Sequence, residues 1–279
     1  MKHKRFKIKI LLLCIPGFAG FLSFYLFSFM KGLWYSFIND AYNKNFVWFD
    51  NYLTVFQNKY FRLALKNTLL FSLLGVASLL ILSFFIALGL SKIKKNNNFI
   101  KSAFLLPMFL PSVSVIFAWR IFFDNDIYFA MMKAGNNFIQ ILPICALYLW
   151  KNAGINVILL TAAFTQLPSD VMDAAQLDGA KGYKLYRYVT LPLVAPHLFF
   201  VGILSFVNSL KIFKESYLFY NTNYPPDPAY NIQFYMNNHF YKLNYPYLSC
   251  ASAVVAILLA VLIFVVYQLQ NKSMRDVSL

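Results

Sequence analysis

The chain has 279 residues, of which 60% are hydrophobic and only 13% are charged, and its mean hydropathy is +0.57. A soluble domain of this length carries charge on about a quarter of its residues, so the composition excludes an ordinary soluble protein. The formal net charge of +15 would suit nucleic-acid binding, but the basic residues are distributed as in a membrane protein, and we predict no nucleic-acid partner.

Four segments without a charged residue are long enough to cross a bilayer, whose core of roughly 30 Å needs about 20 helical residues. They are residues 10–30, 67–91, 188–210 and 243–270. From them we predict transmembrane helices at 10–30 (span 1), 66–90 (span 2), 195–217 (span 5) and 247–268 (span 6). The basic start before span 1 could also belong to a signal peptide, but the apolar run is long and lacks a cleavage pattern, so we predict a retained helix.

Two further segments are less uniformly apolar. Residues 102–119 are apolar up to Arg120, and residues 141–165 contain Lys151 near their middle. We count both as membrane helices, span 3 at 102–122 and span 4 at 141–165, because removing either would place a polar loop in lipid. The predicted fold is an all-α, polytopic membrane protein with six transmembrane helices and a single domain over 1–279.

Prolines interrupt two of the spans. Pro16 lies in span 1, and Pro107 and Pro111 lie in span 3. A proline removes one helical hydrogen bond and bends the rod. The sequence leaves open whether these bends are static kinks or moving hinges.

The basic residues mark one side of the membrane. The segments 1–9, 91–101, 166–195 and 270–279 together hold 14 Lys and Arg residues, whereas the loops on the other side, 31–63, 124–137 and 220–246, hold 6. Cytoplasmic loops carry the excess of positive charge. We therefore predict a cell-membrane protein with both termini in the cytoplasm.

The spans contain no residue pattern typical of a catalytic or metal site. The cysteines Cys14, Cys145 and Cys250 all fall within spans and lack metal-ligand spacing, so we expect them to pack as small apolar residues. No metal, cofactor or catalytic residue is predicted.

The cytoplasmic segment between spans 4 and 5 is polar and contains the stretch DAAQLDGAKGYKLYRYVTLP at 173–192. Pro168 should end span 4, and Ser169 or Asp170 is suited to cap a short helix over 171–177. Gly179 stands where a left-handed residue commonly closes a helix. A second short helix is expected over 181–189, with Pro192 closing the unit before span 5.

This helix-turn-helix insert has two physical interpretations. Small residues at Ala174, Ala175 and Ala180 would let another protein approach closely. The alternative is a helix pair resting on the bilayer surface, but such pairs are usually rich in Lys and Arg, whereas this one carries Asp170, Asp173 and Asp178. Protein docking is favoured and lipid contact stays open.

The insert resembles the EAA loop of the membrane subunits of ABC importers. That motif is Glu-Ala-Ala, three residues, Gly, nine residues and Ile-x-Leu-Pro, and its spacing matches Asp173-Ala174-Ala175, Gly179 and Val189-Thr190-Leu191-Pro192. Asp173 replaces Glu and Val189 replaces Ile. The resemblance implies that an ATPase contacts this loop through the following residues: Asp173, Ala174, Ala175, Asp178, Gly179, Ala180, Leu191 and Pro192.

Other segments are similar to the carbohydrate permeases of this type, the maltose and glycerol-phosphate relatives. They are the Asp-Asn-Tyr stretch within 46–74 that leads into span 2, and Leu149-Trp150-Lys151 with Gly154 in span 4. The chain departs from the pattern at 221–231, where many members carry Gly-Gly-Pro after span 5.

The resemblance implies a permease subunit rather than an enzyme. Its partners would be a second permease subunit (identical or different), two cytosolic ABC ATPase subunits that bind the ATP, and an extracytoplasmic solute-binding protein, all within or against membrane lipid. The chain has no G-x-x-x-x-G-K-[ST] phosphate loop of its own. The expected solute is a sugar or a sugar-like polyol; a phosphorylated polyol, a polyamine or a metal chelate is the alternative, and a membrane scaffold without an ATPase is a further one.

Polar residues inside the spans are the candidates for the solute path, because they are costly in lipid. On span 4 these are Lys151, Asn152 and Asn156, and on span 5 they are Asn208 and Lys211. Lys211 and Glu215 are four residues apart and can pair on one helical face. For Lys151, an ion pair between helices and contact with solute both stay open.

Overall fold

A computed structural model describes residues 14–40, 44–93, 98–123 and 126–277. Within these ranges the ordered elements are helices, apart from one isolated antiparallel bridge between Ile38 and Phe46. The helices are α1 (Cys14–Tyr35), α2 (Asp50–Gln57), α3 (Lys59–Ser91), α4 (Asn98–Phe109), α5 (Ser112–Phe123), α6 (Asp126–Lys133), α7 (Asn137–Thr165), α8 (Ser169–Leu177), α9 (Leu191–Leu210), α10 (Phe213–Tyr220), α11 (Ile232–Tyr241) and α12 (Tyr245–Val277).

Among the described residues, five helical segments are long and apolar enough to cross a membrane, or six if one bent pair is counted as a single span. The segments are Cys14–Tyr35, Lys59–Ser91, Asn137–Thr165, Tyr183–Tyr220 and Tyr245–Asn271. They correspond to predicted spans 1, 2, 4, 5 and 6. The prediction of an all-α, multi-pass membrane protein is therefore confirmed, and residues 10–13 of predicted span 1 lie outside the described residues.

Predicted span 3 is not a single rod. It consists of α4 and α5, which meet at an angle of 97° across Leu110 and Pro111. Pro111 has no N–H to donate to the preceding turn, and α5 restarts with the Val115 N–H donating to the Pro111 carbonyl. Pro107, in contrast, is accommodated inside α4. The prediction of one continuous helix over 102–122 was wrong, although Pro111 was among the prolines predicted to bend it and the bent pair can count as the sixth span.

Three of the predicted loops contain short helices, and α2 lies within the first of them, 31–63. The stretch 124–137 includes α6, and the stretch 220–246 includes α11 together with a 3₁₀ turn at Asp227–Ala229. Their apolar residues are too few to cross a bilayer, and each helix is about three turns or shorter.

The chain separates into two compact units, one formed by residues up to Arg62 with Tyr235–Ile257 and the other by Leu63–Phe234 with the residues from Leu258 on. The first unit buries Ile38, Val55 and Phe61. The second has two hydrophobic clusters, which contain Tyr148 and Leu160 of α7 respectively. Helix α7 is thus central to the second unit, where it packs against α4 and α9.

Helices α7 and α4 approach each other closely at Gly154. A β-carbon added at Gly154 would lie 1.8 Å from the carbonyl oxygen of Phe104. Any side chain at this position would therefore push the two helix backbones apart.

Candidate functional site

The polar insert begins at Pro168, which precedes α8. Pro168 itself occupies the N-cap position, with no capping bond from a side chain, and Ser169 is the first helical residue. The predicted cap at Ser169 or Asp170 was wrong. Asp170 lies instead in the first turn, where its carboxylate is favourably placed relative to the helix dipole.

Gly179 closes α8 as predicted. Its φ is +87°, in the region that glycine adopts without a steric penalty. The Gly179 N–H donates to the Gln176 carbonyl, and the Ala180 N–H donates to the Ala175 carbonyl at 2.9 Å. These two bonds form a Schellman motif, which satisfies carbonyls that the end of a helix leaves free.

The second half of the insert is continuous with the membrane helix that follows it. A short helical turn at Tyr183–Leu185 leads into a π-helical turn at Tyr186–Thr190 and then directly into α9. Leu191 and Pro192 are the first two residues of α9. The separate second helix closed by Pro192 was therefore a wrong prediction; Pro192 sits within one helical rod, just after the π-helical turn.

The insert exposes both apolar and acidic side chains. Leu177 is 89% exposed, and Val171, Tyr183 and Tyr188 are also exposed. Asp173, Ala174 and Asp178 lie at the surface too, whereas Ala175 and Ala180 are half-buried. We call residues 170–189 the insert surface. Lys92, from the preceding cytoplasmic segment, lies over the Tyr186 ring at 5.3 Å from its centroid.

Lys151 forms an ion pair inside the predicted membrane region. Its Nζ lies 2.7 Å from Glu215 Oε1 and donates to Ser112 Oγ at 3.0 Å, and the Ser112 hydroxyl donates to the same carboxylate oxygen at 3.3 Å. The side chains of Lys151 and Glu215 are 16% and 12% exposed. This cluster joins α7, α10 and the first residue of α5.

The predicted pairing of Lys211 with Glu215 was wrong. Helix α9 ends at Leu210 and α10 begins at Phe213, so the two side chains do not share a regular helical face. Lys211 is exposed at this break, and Glu215 points to Lys151 instead.

Three amide side chains form a ladder between α7 and α9. Asn208 Nδ2 donates to Asn152 Oδ1 at 3.1 Å, and Asn156 Nδ2 donates to Ser205 Oγ at 2.7 Å. Asn156 is buried, whereas Asn152 and Asn208 are half-buried. The structure thus brings together three of the candidates for the solute path and leaves Lys211 apart from them.

Sequence reasoning missed the hydroxyl groups that complete these contacts. Ser112 bridges the ion pair, Ser205 accepts the Asn156 bond, and the buried Tyr148 hydroxyl donates to the Ser205 carbonyl at 2.7 Å. Serine and tyrosine are common in apolar helices, so they gave no signal. The spacing of Tyr148, Asn152 and Asn156 at intervals of four could have indicated one polar face of α7.

The comparison with protein families gives a match over most of the chain. Residues 80–277 match the family described as binding-protein-dependent transport system inner membrane component. The matched region includes the insert, the amide ladder and both partners of the ion pair.

Curated relatives are similar over most of their length. The arabinooligosaccharides transport system permease protein AraP of Bacillus subtilis is 26% identical over 266 residues, covering 90% of this chain and 83% of the relative. The trehalose/maltose transport system permease protein MalF of Thermococcus litoralis is 25% identical, covering 99% and 97%. The sn-glycerol-3-phosphate transport system permease protein UgpA of Yersinia pestis is 26% identical, covering 70% and 71%.

Solved structures share the fold. A chain of a bacterial ABC transporter involved in the import of the acidic polysaccharide alginate superposes with a TM-score of 0.79 at 20% identity, covering 97% of this chain and 98% of the other. The same kind of transporter in complex with a periplasmic protein that holds an alginate pentasaccharide gives a TM-score of 0.77.

Proposed function

Because this chain belongs to the family of binding-protein-dependent transport system inner membrane components, we propose that it forms half of the solute path of an ATP-driven importer and couples that path to a cytosolic ATPase. The resemblance to carbohydrate permeases predicted from the sequence is confirmed by the matched relatives. The chain is a multi-pass membrane transport subunit; its partners would be a second permease subunit, two ATPase subunits and a solute-binding protein outside the cytoplasm.

The observation that carries the coupling role is the insert surface. A helix closed by a Schellman turn presents small and acidic side chains at Asp173, Ala174 and Asp178, with Leu177 almost fully exposed beside them. Val171, Tyr183 and Tyr188 are exposed on the same insert, and a group of exposed apolar side chains is typical of an interaction surface. Ala175, Gly179 and Ala180 keep the turn compact, and Leu191 and Pro192 connect it to α9.

The proposed orientation places the insert surface and both termini in the cytoplasm. The support is the excess of Lys and Arg in the segments on that side. An ATPase can reach the loop only from there.

The proposed solute is a neutral sugar or a sugar-like polyol. Lys151 would attract an anion if it were unpaired, but Glu215 neutralises its charge at 2.7 Å. The amides of Asn152 and Asn208 are half-buried and can exchange their mutual bond for bonds to hydroxyl groups. Asn156 is buried against Ser205, and we assign it the positioning of that helix contact.

A phosphorylated polyol is the second candidate. It is favoured by the exposed Lys211 and by the neighbouring exposed Lys214 at the α9–α10 break, and UgpA, the relative named for sn-glycerol-3-phosphate, is among the matches. A polyamine or metal chelate has less support, because Glu215, the carboxylate of this cluster, is already paired. Binding of candidate solutes by the partner solute-binding protein would separate these possibilities.

The experiment that tests coupling places a charge at the turn. Gly179→Glu and Ala174→Asp should abolish ATP-dependent uptake and reduce the ATPase that co-purifies with the tagged chain, because both introduce a charged side chain into the small-residue surface. Gly179→Asn is the matched control for the backbone, since Asn tolerates positive φ better than other side chains.

Three outcomes are informative. Loss of uptake in Gly179→Glu, with normal uptake in Gly179→Asn, would indicate that the turn needs its backbone conformation but tolerates a small side chain. Loss of uptake in both Gly179 variants, with normal membrane insertion, would indicate that the partner approaches residue 179 too closely for any side chain. Normal uptake and normal ATPase recovery in Gly179→Glu and Ala174→Asp would refute the proposal.

A further inference from the structure

Helix α2 presents three different faces. Asn51 and Val55 face the core of the first unit and are buried. Phe49, Leu53 and Phe56 are exposed, and their spacing of four and three residues places them on one side of the helix. Asp50, Thr54 and Gln57 are exposed on another side. The exposed part of α2 is thus divided into an apolar side and a polar side.

The helix is fixed to the end of α1. Asn51 Nδ2 donates to the Ser36 carbonyl at 3.0 Å and to the Ile38 carbonyl at 2.8 Å, and the Tyr52 and Ser36 hydroxyls are 2.8 Å apart. These contacts hold α2 at a defined position relative to the last turn of α1. The exposed apolar face therefore has a fixed direction and does not depend on a loose loop.

An aromatic cluster extends the apolar face. Trp34 contacts Phe46, and Phe46 contacts Trp48, with ring centroids 5.7 and 5.0 Å apart. Phe37 connects Phe46 with Phe49 through further ring contacts. Trp48 is 68% exposed although its φ is +50°, a conformation that costs energy for a non-glycine residue.

The position of the cluster along the chain selects its surroundings. Helix α1 crosses the membrane and ends at Tyr35, and α3 begins at Lys59. The aromatic cluster contacts the last turn of α1 through Trp34 and Phe46, so it lies close to the end of a membrane-spanning helix, near the boundary between bilayer and water. The cluster also continues the exposed apolar surface of α1, which includes Phe24, Phe27 and Met30.

We propose that Phe49 at the N-cap of α2, Leu53 and Phe56 within α2, and the cluster of Trp34, Phe46 and Trp48 insert into the headgroup and acyl boundary of one lipid leaflet, with Asp50, Thr54 and Gln57 turned to water. Helices of this kind lie in the membrane plane with the apolar face roughly 5–10 Å deep, and tryptophan is enriched at this boundary. Lipid is the molecule that covers this apolar face, because the face continues the exposed apolar surface of α1. The polar residues of α2 lie on a separate exposed side, where they can stay in water.

The segment 31–63 was predicted as a loop outside the membrane, so the inference changes its surroundings from water to the interface. In the proposed orientation this is the outer leaflet. The inference requires only that α1 spans the membrane, and it holds whichever solute or ATPase the chain serves.

Trp48 can report its own surroundings, because the chain has only four tryptophans. In the full chain carrying Trp34→Phe, Trp119→Phe and Trp150→Phe, placed in phosphatidylcholine nanodiscs, we expect Trp48 emission to be quenched by lipids brominated near the headgroup. Lipids brominated near the chain end and aqueous iodide should quench it much less. The matched reporter adds Trp48→Phe and Gln57→Trp, and it should respond to iodide instead.

A second measurement does not need the tryptophan substitutions. In native membrane vesicles and a Cys14→Ser background, Thr54→Cys should react with a membrane-impermeant maleimide at least about tenfold faster than Leu53→Cys, since leaving water disfavours the reactive thiolate by a pKa unit or more. Strong iodide quenching of Trp48, or equal labelling of the two cysteines, would overturn the proposal. Protection of Trp48 from iodide and from every brominated lipid would assign the surface to a protein partner and overturn it equally.

Discussion

At the scale of single residues, Lys151 carries a charge inside the predicted membrane region. A charged side chain inside a bilayer is costly unless it is paired. Glu215 supplies the opposite charge and Ser112 donates a further hydrogen bond to the carboxylate. The sequence identified Lys151 as an exceptional residue but not its partner, because Glu215 is 64 residues away and becomes available only through the break between α9 and α10.

Removing one partner of this pair should cost more than removing both. Lys151→Met leaves Glu215 unpaired, and we expect a loss on the order of 3 kcal/mol. Lys151→Met with Glu215→Leu should recover most of it, because no uncompensated charge remains. Thermal unfolding in detergent is compared for the parent chain, Lys151→Met, Glu215→Leu and the double variant. The difference measures the coupling free energy between the two side chains.

The same variants separate structure from transport. If Lys151 acts only through the ion pair, the double variant recovers uptake along with stability. Equal destabilisation in the single and double variants would contradict the structural role, and recovered stability without uptake would return Lys151 to the candidates for solute contact.

Gly154 gives a second prediction at this scale. Gly154→Ala places a β-carbon 1.8 Å from the Phe104 carbonyl, so α4 and α7 must separate, and we expect a loss of about 1–3 kcal/mol from overpacking. Gly89→Ala in α3 is the control, because no atom lies within 4 Å of its β-carbon position and alanine favours a helix. The melting temperature should fall for Gly154→Ala and stay level or rise for Gly89→Ala; the opposite order would contradict the close helix contact.

At the scale of elements, the rod from Tyr183 to Leu210 connects the insert surface with the amide ladder. Its π-helical turn lies at Tyr186–Thr190, immediately before Pro192. π-helical turns inside α-helices occur frequently at functional sites. Since the second half of the insert and the α9 side of the ladder belong to one rod, a displacement of that half can reach Ser205 and Asn208 along a continuous helix.

Replacing Pro192 should separate stability from function. Pro192→Ala restores an N–H donor, and a restored helical hydrogen bond contributes about 1 kcal/mol. We expect higher thermal stability but weaker ATP-dependent uptake, because the π-helical turn can then relax to a regular helix. Pro196→Ala, one turn further into α9, is the control that should gain stability and keep uptake. Unchanged uptake in Pro192→Ala would show that the π-helical turn is not needed for coupling.

The elements show which features a sequence pattern can predict. Long uncharged runs predicted the spans, because crossing a bilayer imposes a length and a composition, and Gly179 was predictable because few other residues adopt positive φ. The break at Pro111 and the continuous helix through Pro192 could not be predicted from the sequence, since a proline can either end a helix or be accommodated by a π-helical turn. Helices α2, α6 and α11 have ten residues or fewer, so no long apolar period marked them.

At the scale of the whole molecule, one helix pair carries both the proposed path and the proposed coupling. Helix α7 bears Asn152 and Asn156 and leads into α8, while α9 bears Ser205 and Asn208 and follows the Gly179 turn. A force on the insert surface therefore acts directly on the two helices that the amide ladder joins. In the proposed function, the partner ATPase supplies ATP hydrolysis and the permease supplies the helices that connect it to the solute path.

The most direct test asks what touches Leu177 in the cell. A photo-activatable phenylalanine analogue at position 177 should cross-link the chain to a cytosolic ATPase, because Leu177 is 89% exposed on the insert surface. The same analogue at position 122, where Phe122 is 84% exposed on α5, should capture no ATPase. An ATP-binding protein captured from position 177 and absent from position 122 is the predicted result; capture of phospholipid alone from position 177 would contradict the account.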